Sequence, residues 1–491
     1  MVYDNLYKQI ISLEGIYLYI NGEWIQTNET LEVRNPANGD LVDKVSFGGS
    51  FETSEAILAA KRAFKDWSQL SADNRSAYLH KTVEKLKENS EFLAQLITKE
   101  MGKSIHNARY EVQSTISFFQ WFAEESRRIY GRVIPSSAEN KRIAVTKQPV
   151  GVVGAITPWN FPLSMAARKL APALAAGCTV ILKPSKEAPL SSVALFKIFD
   201  EIVFPKGTVN LVMGDSNTIV QTLMDSKDVR KISFTGSTEI GKKLIRQSAD
   251  TVKRVSMELG GHAPLIVFED ADLDLAAEGV IQSKFASSGQ QCVCANRIYI
   301  HDSIYEKFTE KLREKVSQLK VGNGLDEKNN IGPLINESAI EKMNEQVDDA
   351  ISKGASVLCG GVRLSGDSYD QGYFFSPTLL ADSQEGMKIL HEETFGPIAP
   401  LIRFQSEEEV IQRANDIEYG LASYFYTNDL SRMYRVSEKL EYGMVGVNDA
   451  APFSVQAPFG GIKESGLGRE GGSEGIEDYL NIKMTSTKIK I

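Results

Sequence analysis

The sequence predicts an α/β fold with two Rossmann-like domains, each built on a parallel sheet, plus a β-rich arm. Three observations carry this prediction. The chain has 491 residues, whereas a single hydrophobic core stops growing at roughly 250–300 residues. Short apolar runs alternate with helical patterns from about residue 150 to 256, and a second such block begins near residue 263. The segments 132–148 and 479–491 are β-rich and stand outside that alternation.

Along the chain, residues 51–130 read as helices, because 54–67 and 76–100 repeat apolar side chains at spacings of three and four. Strands are expected at 150–156, 179–182, 209–212, 232–234 and 253–256, with helices at 164–176, 190–202 and 239–248 between them. Strands this short and continuously apolar belong to a parallel sheet covered on both faces. Ligands of such sheets sit beyond the carboxyl ends of the strands. The second block includes strands at 264–268, 297–300, 356–358 and 421–426 and helices at 304–319 and 407–417. The two β-rich segments are expected to pair with each other or across a subunit boundary.

Composition narrows the function. Hydrophobic residues make up 42% and charged residues 24% of the chain, the balance of an ordinary globular protein. The net charge is −9 and the basic residues are dispersed, which argues against nucleic acid as a partner. No apolar run approaches the ~20 residues of a membrane span. Asp4, Lys8 and Glu14 interrupt the first fifteen residues, unlike a signal peptide, so a cytoplasmic location is expected. Four cysteines, Cys178, Cys292, Cys294 and Cys359, make neither a disulfide framework nor the paired spacing of a zinc site, so no metal is expected.

Several short motifs could carry chemistry. In Ser288-Gly-Gln-Gln-Cys292, small neighbours leave a cysteine that is either a reachable nucleophile or a buried structural thiol. Glu258 ends a strand before Gly260-Gly261, where a carboxylate among apolar residues suits a general base and a surface position suits an ordinary glutamate. Asn160, in Thr157-Pro-Trp-Asn-Phe-Pro162, is an amide donor for an oxyanion or a turn residue. Lys183, at a strand's end, suits a ribose hydroxyl or phosphate, or solvent. Phe234-Thr-Gly236-Ser237 opens a helix whose first amides could hold pyrophosphate, although it is not a Gly-x-Gly-x-x-Gly motif. The Gly-rich run 459–468 lacks a P-loop ending and is not read as a nucleotide cradle.

Together and in this order, the motifs resemble the aldehyde dehydrogenase superfamily from about Tyr19 to Ile482. Pro158-Trp-Asn-Phe-Pro162, Lys183-Pro-Ser185, Phe234-Thr-Gly-Ser-Thr238, Glu258-Leu-Gly-Gly261, Gly289-Gln-Gln-Cys292 and Glu393-Thr-Phe-Gly-Pro397 carry the resemblance. It implies oxidation of an aldehyde to an acid through a thioester, with NADP or NAD as cofactor. Cys292 is then the nucleophile, Glu258 the base for the deacylating water, and Asn160 with the Cys292 amide the oxyanion hole. The implied cofactor contacts are Ile156, Thr157, Pro158, Trp159, Lys183, Ser185, Lys186, Gly214, Phe234, Gly236, Ser237, Leu259, Glu393 and Phe395. The implied organisation places a cofactor-binding domain at 1–130 and 150–257 and a catalytic domain at 258–470. Residues 131–149 and 471–491 form an oligomerisation arm and tail, and a homodimer or homotetramer is expected.

Within the superfamily the chain resembles the succinate-semialdehyde dehydrogenase group, through Cys292-Val-Cys294-Ala-Asn-Arg297, Gly261-His-Ala-Pro264 and the 463–479 region. The group's carboxylate clamp matches Arg168 and Ser454, but its second arginine falls on Ala286. Loss of a charged hydrogen bond removes roughly 1.5–3 kcal/mol, so a longer oxo-acid or an uncharged short aldehyde competes with succinate semialdehyde. NAD-preferring relatives carry a glutamate where this chain has Lys186, so acceptance of NADP is expected. The resemblance also implies a reversible disulfide between Cys292 and Cys294, against simple packing of Cys294. A thiol hydrolase, which would need one of only five histidines near the cysteine, and a catalytically silent binding protein are the remaining readings.

Overall fold

A computed structural model describes residues 16–490. The first fifteen residues and Ile491 lie outside the described residues, and so does the reading of the N-terminal segment. Among the described residues the strands form four sheets.

The first is eight-stranded. Its centre is parallel, in the order Arg254–Glu258, Val229–Thr235, Val152–Ile156, Thr179–Lys183 and Val209–Leu211. Antiparallel strands close both sides: Gly466–Leu467 on Arg254–Glu258, and the hairpin Ile16–Ile20 with Glu23–Gln26 on Val209–Leu211. All five residues of Val152–Ile156 and of Thr179–Lys183 are buried, which is why these strands read as unbroken apolar runs. The helices Ser164–Ala176 and Leu190–Glu201 cover one face with Leu170, Leu174, Phe196 and Phe199, each fully buried. Burying such a side chain is worth roughly 1.5–3 kcal/mol.

The second sheet is seven-stranded, in the order Ser356–Cys359, Thr378–Ala381, Ile398–Phe404, Ala295–His301, Ala263–Val267, Ala422–Tyr426 and Met444–Val447. Only Ser356–Cys359 pairs antiparallel. Alternate residues of its central strands feed two cores. Ile266, Tyr299 and Phe425 face one, and Leu265, Ile298 and Tyr424 face the other.

The two β-rich segments pair with each other. Lys141–Pro149 runs antiparallel to Leu480–Lys488 over nine residue pairs, and Arg132–Ile134 adds a third strand. One expectation needs correction. Residues 76–100 are not one helix; Ala72–Glu88 and Ser90–Met101 meet at Asn89. The Asn89 amide donates to the Lys85 carbonyl at 2.9 Å and caps the first helix, a local bond that asparagine makes in competition with helix continuation.

Candidate active site

The nucleophile candidate is presented by a strained turn. The helix Leu273–Val280 runs into a π-helical turn, Ile281–Phe285, and then into Ala286–Gly289, where Ser287 and Ser288 take left-handed backbone, with φ of 50° and 58°. Such backbone costs a non-glycine residue roughly 1–2 kcal/mol. The turn is tied down by Ser288 Oγ donating to the Gly332 carbonyl at 2.9 Å. Cys292 follows. Its carbonyl lies so close to Gly261 that a Cβ there would overlap it, which accounts for the second glycine after Glu258.

Cys292 walls two cavities, of about 340 Å³ and about 540 Å³. The smaller also takes Pro158, Trp159, Asn160, Gly236, Ser237, Leu259, Glu393 and Phe395. With Cys292, nine of the cofactor and catalytic residues expected from sequence therefore meet there, with Trp159 edge-on to Phe395 at 5.6 Å between ring centroids. The remaining expected cofactor residues lie outside that wall. Ile156 and Thr157 end the central strand, and the Thr157 amide donates to the Lys183 carbonyl at 3.1 Å. Phe234 packs its ring against Gly236. Gly214 packs on the backbone of Gly48, where any side chain would collide. Ser185 accepts from the Glu187 amide at 3.3 Å, and Lys186 is exposed. Lys183 is buried, donates to Ser216 Oγ at 2.7 Å, and is pushed down to about 8 by burial and by the Lys186 charge.

The smaller cavity fits a dinucleotide's reactive end. Thr235 lines it with a buried hydroxyl that has no partner. Ser237 caps the eleven-residue helix Thr238–Ser248, whose first amides and dipole favour phosphate. Glu393 Oε1 accepts from the Gly261 amide at 3.0 Å, and burial raises its carboxyl to about 7.

Arg168 and Ser454 line the larger cavity, with Ala286 beside them. Arg168 stands over the rings of Phe459, at 4.3 Å, and Phe118, at 5.0 Å. Its Nε and one terminal nitrogen are buried without a hydrogen bond, and its nearest carboxylate, Glu470, is 4.0 Å away. A guanidinium so placed keeps N–H groups free for a further anionic partner.

Asn160 Nδ2 donates to the Gln290 carbonyl at 3.0 Å and keeps a second N–H. Burial and the Glu393 charge push the Cys292 thiol up to about 12, while Arg168 acts the other way. Glu258 is 4% exposed and lines neither cavity. Its Oε1 packs against Gly460, its Oε2 has no partner, and burial and the Glu470 charge hold its carboxyl well above the usual range. Cys294 is fully buried, donates to the Lys284 carbonyl at 3.5 Å, and like Cys292 is a free cysteine. Sequence reasoning missed Glu470 and its buried partner Lys169, 2.6 Å apart, behind Glu258, and also Phe118, Thr235 and Gln290. Phe118 and Lys169 sit in helix interiors with no local motif, whereas Thr235, Gln290 and Glu470 lie within or beside the motifs and acquire their contacts only in the fold.

A thiol shared by two cavities, with an amide donor and a buried carboxyl beside it, defines an enzyme of acyl-thioester chemistry. The chain belongs to the aldehyde dehydrogenase family, whose family model matches residues 24–485. It is 52% identical to a 3-sulfolactaldehyde dehydrogenase of Pseudomonas putida over 95% of each chain. It is 51% identical to an NADP-dependent succinate-semialdehyde dehydrogenase of Escherichia coli, over 94% of this chain and 96% of that one. The crystal structure of succinate-semialdehyde dehydrogenase from Burkholderia pseudomallei superposes with a TM-score of 0.95 at 46% identity, covering 97% of this chain and 99% of that one. No helix among the described residues is long and apolar enough to cross a membrane.

Proposed function

We propose that the enzyme oxidises a short aldehyde bearing a distal anion, such as succinate semialdehyde or a related oxo-acid or sulfonate, to the corresponding acid with NADP or NAD. The observation that carries this is Cys292 at the junction of the two cavities, with Arg168 in the larger, two of whose nitrogens have no hydrogen-bond partner. The names of the relatives, which span carboxylate and sulfonate aldehydes, agree with an anion-binding site of relaxed shape.

Cys292 gives its thiol proton to solvent in the cavity, and the thiolate attacks the carbonyl carbon. The spare N–H of Asn160 and the Cys292 amide hold the oxyanion, each donor contributing ~3–4 kcal/mol. When bound, the nicotinamide accepts the hydride, and the acyl group stays on Cys292 as a thioester. Glu258 turns from Gly460 toward the thioester and takes the proton of the water that releases the acid. Pro158, Trp159, Gly236, Ser237, Leu259, Glu393 and Phe395 hold the nicotinamide half, and Lys183, Ser185 and Lys186 the adenosine half. The first sheet, with 1–130 and 150–257, forms the cofactor domain, and 258–470 the catalytic domain, although Gly466–Leu467 has already returned to the first sheet. On the arm, Val133, Ile482 and Met484 are 80%, 71% and 62% exposed. Apolar exposure of this extent supports a homodimer or homotetramer joined through residues 131–149 and 471–491. Four free cysteines fit a reducing, cytoplasmic compartment.

The test is reduced-cofactor formation from succinate semialdehyde, glutarate semialdehyde, sulfolactaldehyde and an uncharged aldehyde of equal length. The anionic aldehydes are expected to lead in kcat/KM by about tenfold or more, and Cys292→Ser should abolish turnover with all of them. Equal efficiency with the uncharged aldehyde overturns the anion reading. Acid release without cofactor returns the thiol hydrolase.

A further inference from the structure

Beneath the Asn160 loop lies a buried ion pair that the chemistry above does not use. Lys103 follows the helix Ser90–Met101, and Glu111 lies on the helix Ile105–Glu125. Both side chains are 0% exposed, and Lys103 Nζ is 2.7 Å from Glu111 Oε2. Glu111 Oε1 accepts from the amides of Leu163, at 2.9 Å, and Ser164, at 3.1 Å, which open the helix Ser164–Ala176. The Lys103 ammonium also sits 3.6 Å from the centre of the Phe161 ring. The pair therefore grips residues 161, 163 and 164, directly after Asn160.

The same turn reaches the nucleophile from the other side. Gly332 packs on the Gly102 carbonyl so closely that no side chain fits. Next in sequence, the Pro333 carbonyl accepts from Gln290 Nε2 at 3.3 Å, and the Ile335 amide donates to Gln290 Oε1 at 3.0 Å. The Gln290 carbonyl in turn accepts from Asn160 at 3.0 Å. These contacts close a ring that runs from Lys103 through Glu111 and residues 161–164 to Asn160, then through Gln290 and 332–335 back to Gly102.

We propose that Lys103 and Glu111 are positioning residues that fix Asn160 as the oxyanion donor, acting on the chemical step and not on binding. This rests on the reading of Asn160 as that donor. Two buried charges are an expensive way to cap a helix, since a neutral carbonyl would accept the same two amides. The ammonium adds a second hold, on the Phe161 ring, that fixes the loop's direction. An amide donor contributes fully only when it points at the position the oxyanion will occupy.

The test compares wild type, Lys103→Met, Asn160→Ala and the double variant N160A/K103M. The first-turnover rate, taken with enzyme in excess over aldehyde, is normalised to the cofactor-binding sites counted by titration, so only folded sites count. Lys103→Met is expected to lower the per-site rate by about tenfold to a hundredfold, with KM for aldehyde and cofactor within about threefold. Asn160→Ala is expected to lower it by ~10²–10³-fold, with no further loss in N160A/K103M. A merely structural role would lower the number of cofactor-binding sites and leave the per-site rate unchanged, which overturns the proposal. So does an equal additional loss from Lys103→Met in the Asn160→Ala background. If Asn160→Ala itself keeps the wild-type per-site rate, the oxyanion reading fails, a result distinct from failure of the pair alone. Where Lys103→Met strands the Glu111 charge and prevents folding, K103M/E111Q removes both charges and keeps a carbonyl for the two amides. Its cofactor-binding sites are expected to be full in number and its per-site rate about tenfold to a hundredfold below wild type, and an unchanged per-site rate overturns the proposal.

Discussion

The smaller cavity beside Cys292 is walled largely by loops at strand ends: Pro158 to Asn160, Thr235 to Ser237, Leu259 with Gly260, and Glu393 to Phe395. The larger is walled mostly by side chains from helices and from the turn before Cys292, among them Tyr110, Phe118, Arg168 and Gln282, together with the loop 450–459. The smaller has the geometry of a ligand shared by a whole family, because backbone at strand ends is fixed by the sheet. The larger can change its ligand by exchanging one side chain, since Arg168 and Ala286 both line it. Substitutions should respect that division. Those on one side should move the cofactor's constants and those on the other the aldehyde's. Glu258, which lines neither cavity, should move only the rate.

The largest effect is therefore expected at Glu258. Glu258→Gln should lower steady-state kcat by about 10²–10⁴-fold while leaving a single burst of reduced cofactor, because thioester formation does not use this carboxyl. The pH profile gives a second reading. Burial and Glu470 hold Glu258 protonated above the usual carboxylate range. Only the ionised form accepts a proton, so deacylation should rise with pH until that raised value is passed. Glu258→Gln should flatten this limb. A variant that loses its burst as well would place Glu258 before the thioester and break the division between sides and rate.

Intermediate effects are expected in the larger cavity. Arg168→Gln should raise KM for an anionic aldehyde by about tenfold to a hundredfold and leave KM for the cofactor and for an uncharged aldehyde unchanged. Ala286→Arg should shift preference toward succinate semialdehyde, the shorter anion, as measured by the ratio of kcat/KM values for succinate and glutarate semialdehydes. An Arg168→Gln enzyme that loses all aldehydes equally would make the guanidinium structural, a scaffold for Phe118 and Phe459.

The same division explains how much was legible in the sequence. Strands buried on both faces announce themselves as apolar runs, so the sheet centres and the Ser164–Ala176 helix were readable to within a residue or two. So were Cys292, Asn160 and Glu393, because motifs at strand ends combine small, rigid and polar residues in one short stretch. Asn89 was not, since one asparagine in a helical pattern does not reveal whether its amide turns back on the chain. The orientation of Glu258 toward Gly460 was not, because it depends on a segment some 200 residues later. Lys103, Glu111 and Lys169 belong to no motif, and only tertiary packing buries them. Burial of a charge has no local signature when its partner lies elsewhere in the chain.

The smallest effect, and the one that most sharpens the cofactor side, concerns Lys186. Its charge lies close enough to help hold Lys183 down to about 8, so two ammonium groups face one region, with Asp215 acting against them on Lys183. A phosphate dianion entering there gains attraction from both, whereas a ribose hydroxyl gains one hydrogen bond. Lys186→Glu should lower the ratio of kcat/KM with NADP to that with NAD by about tenfold to a hundredfold, with aldehyde constants unchanged. The pH dependence has a definite sign. Lys183 is positive below about 8 and neutral above it in the free enzyme, so KM for NADP should rise as pH passes that value. KM for NAD should respond less, since it brings no 2′-phosphate for the ammonium to meet. A wild-type enzyme with strong NAD preference, unchanged by Lys186→Glu, would show that Lys186 points only to water and that the adenosine end is read elsewhere.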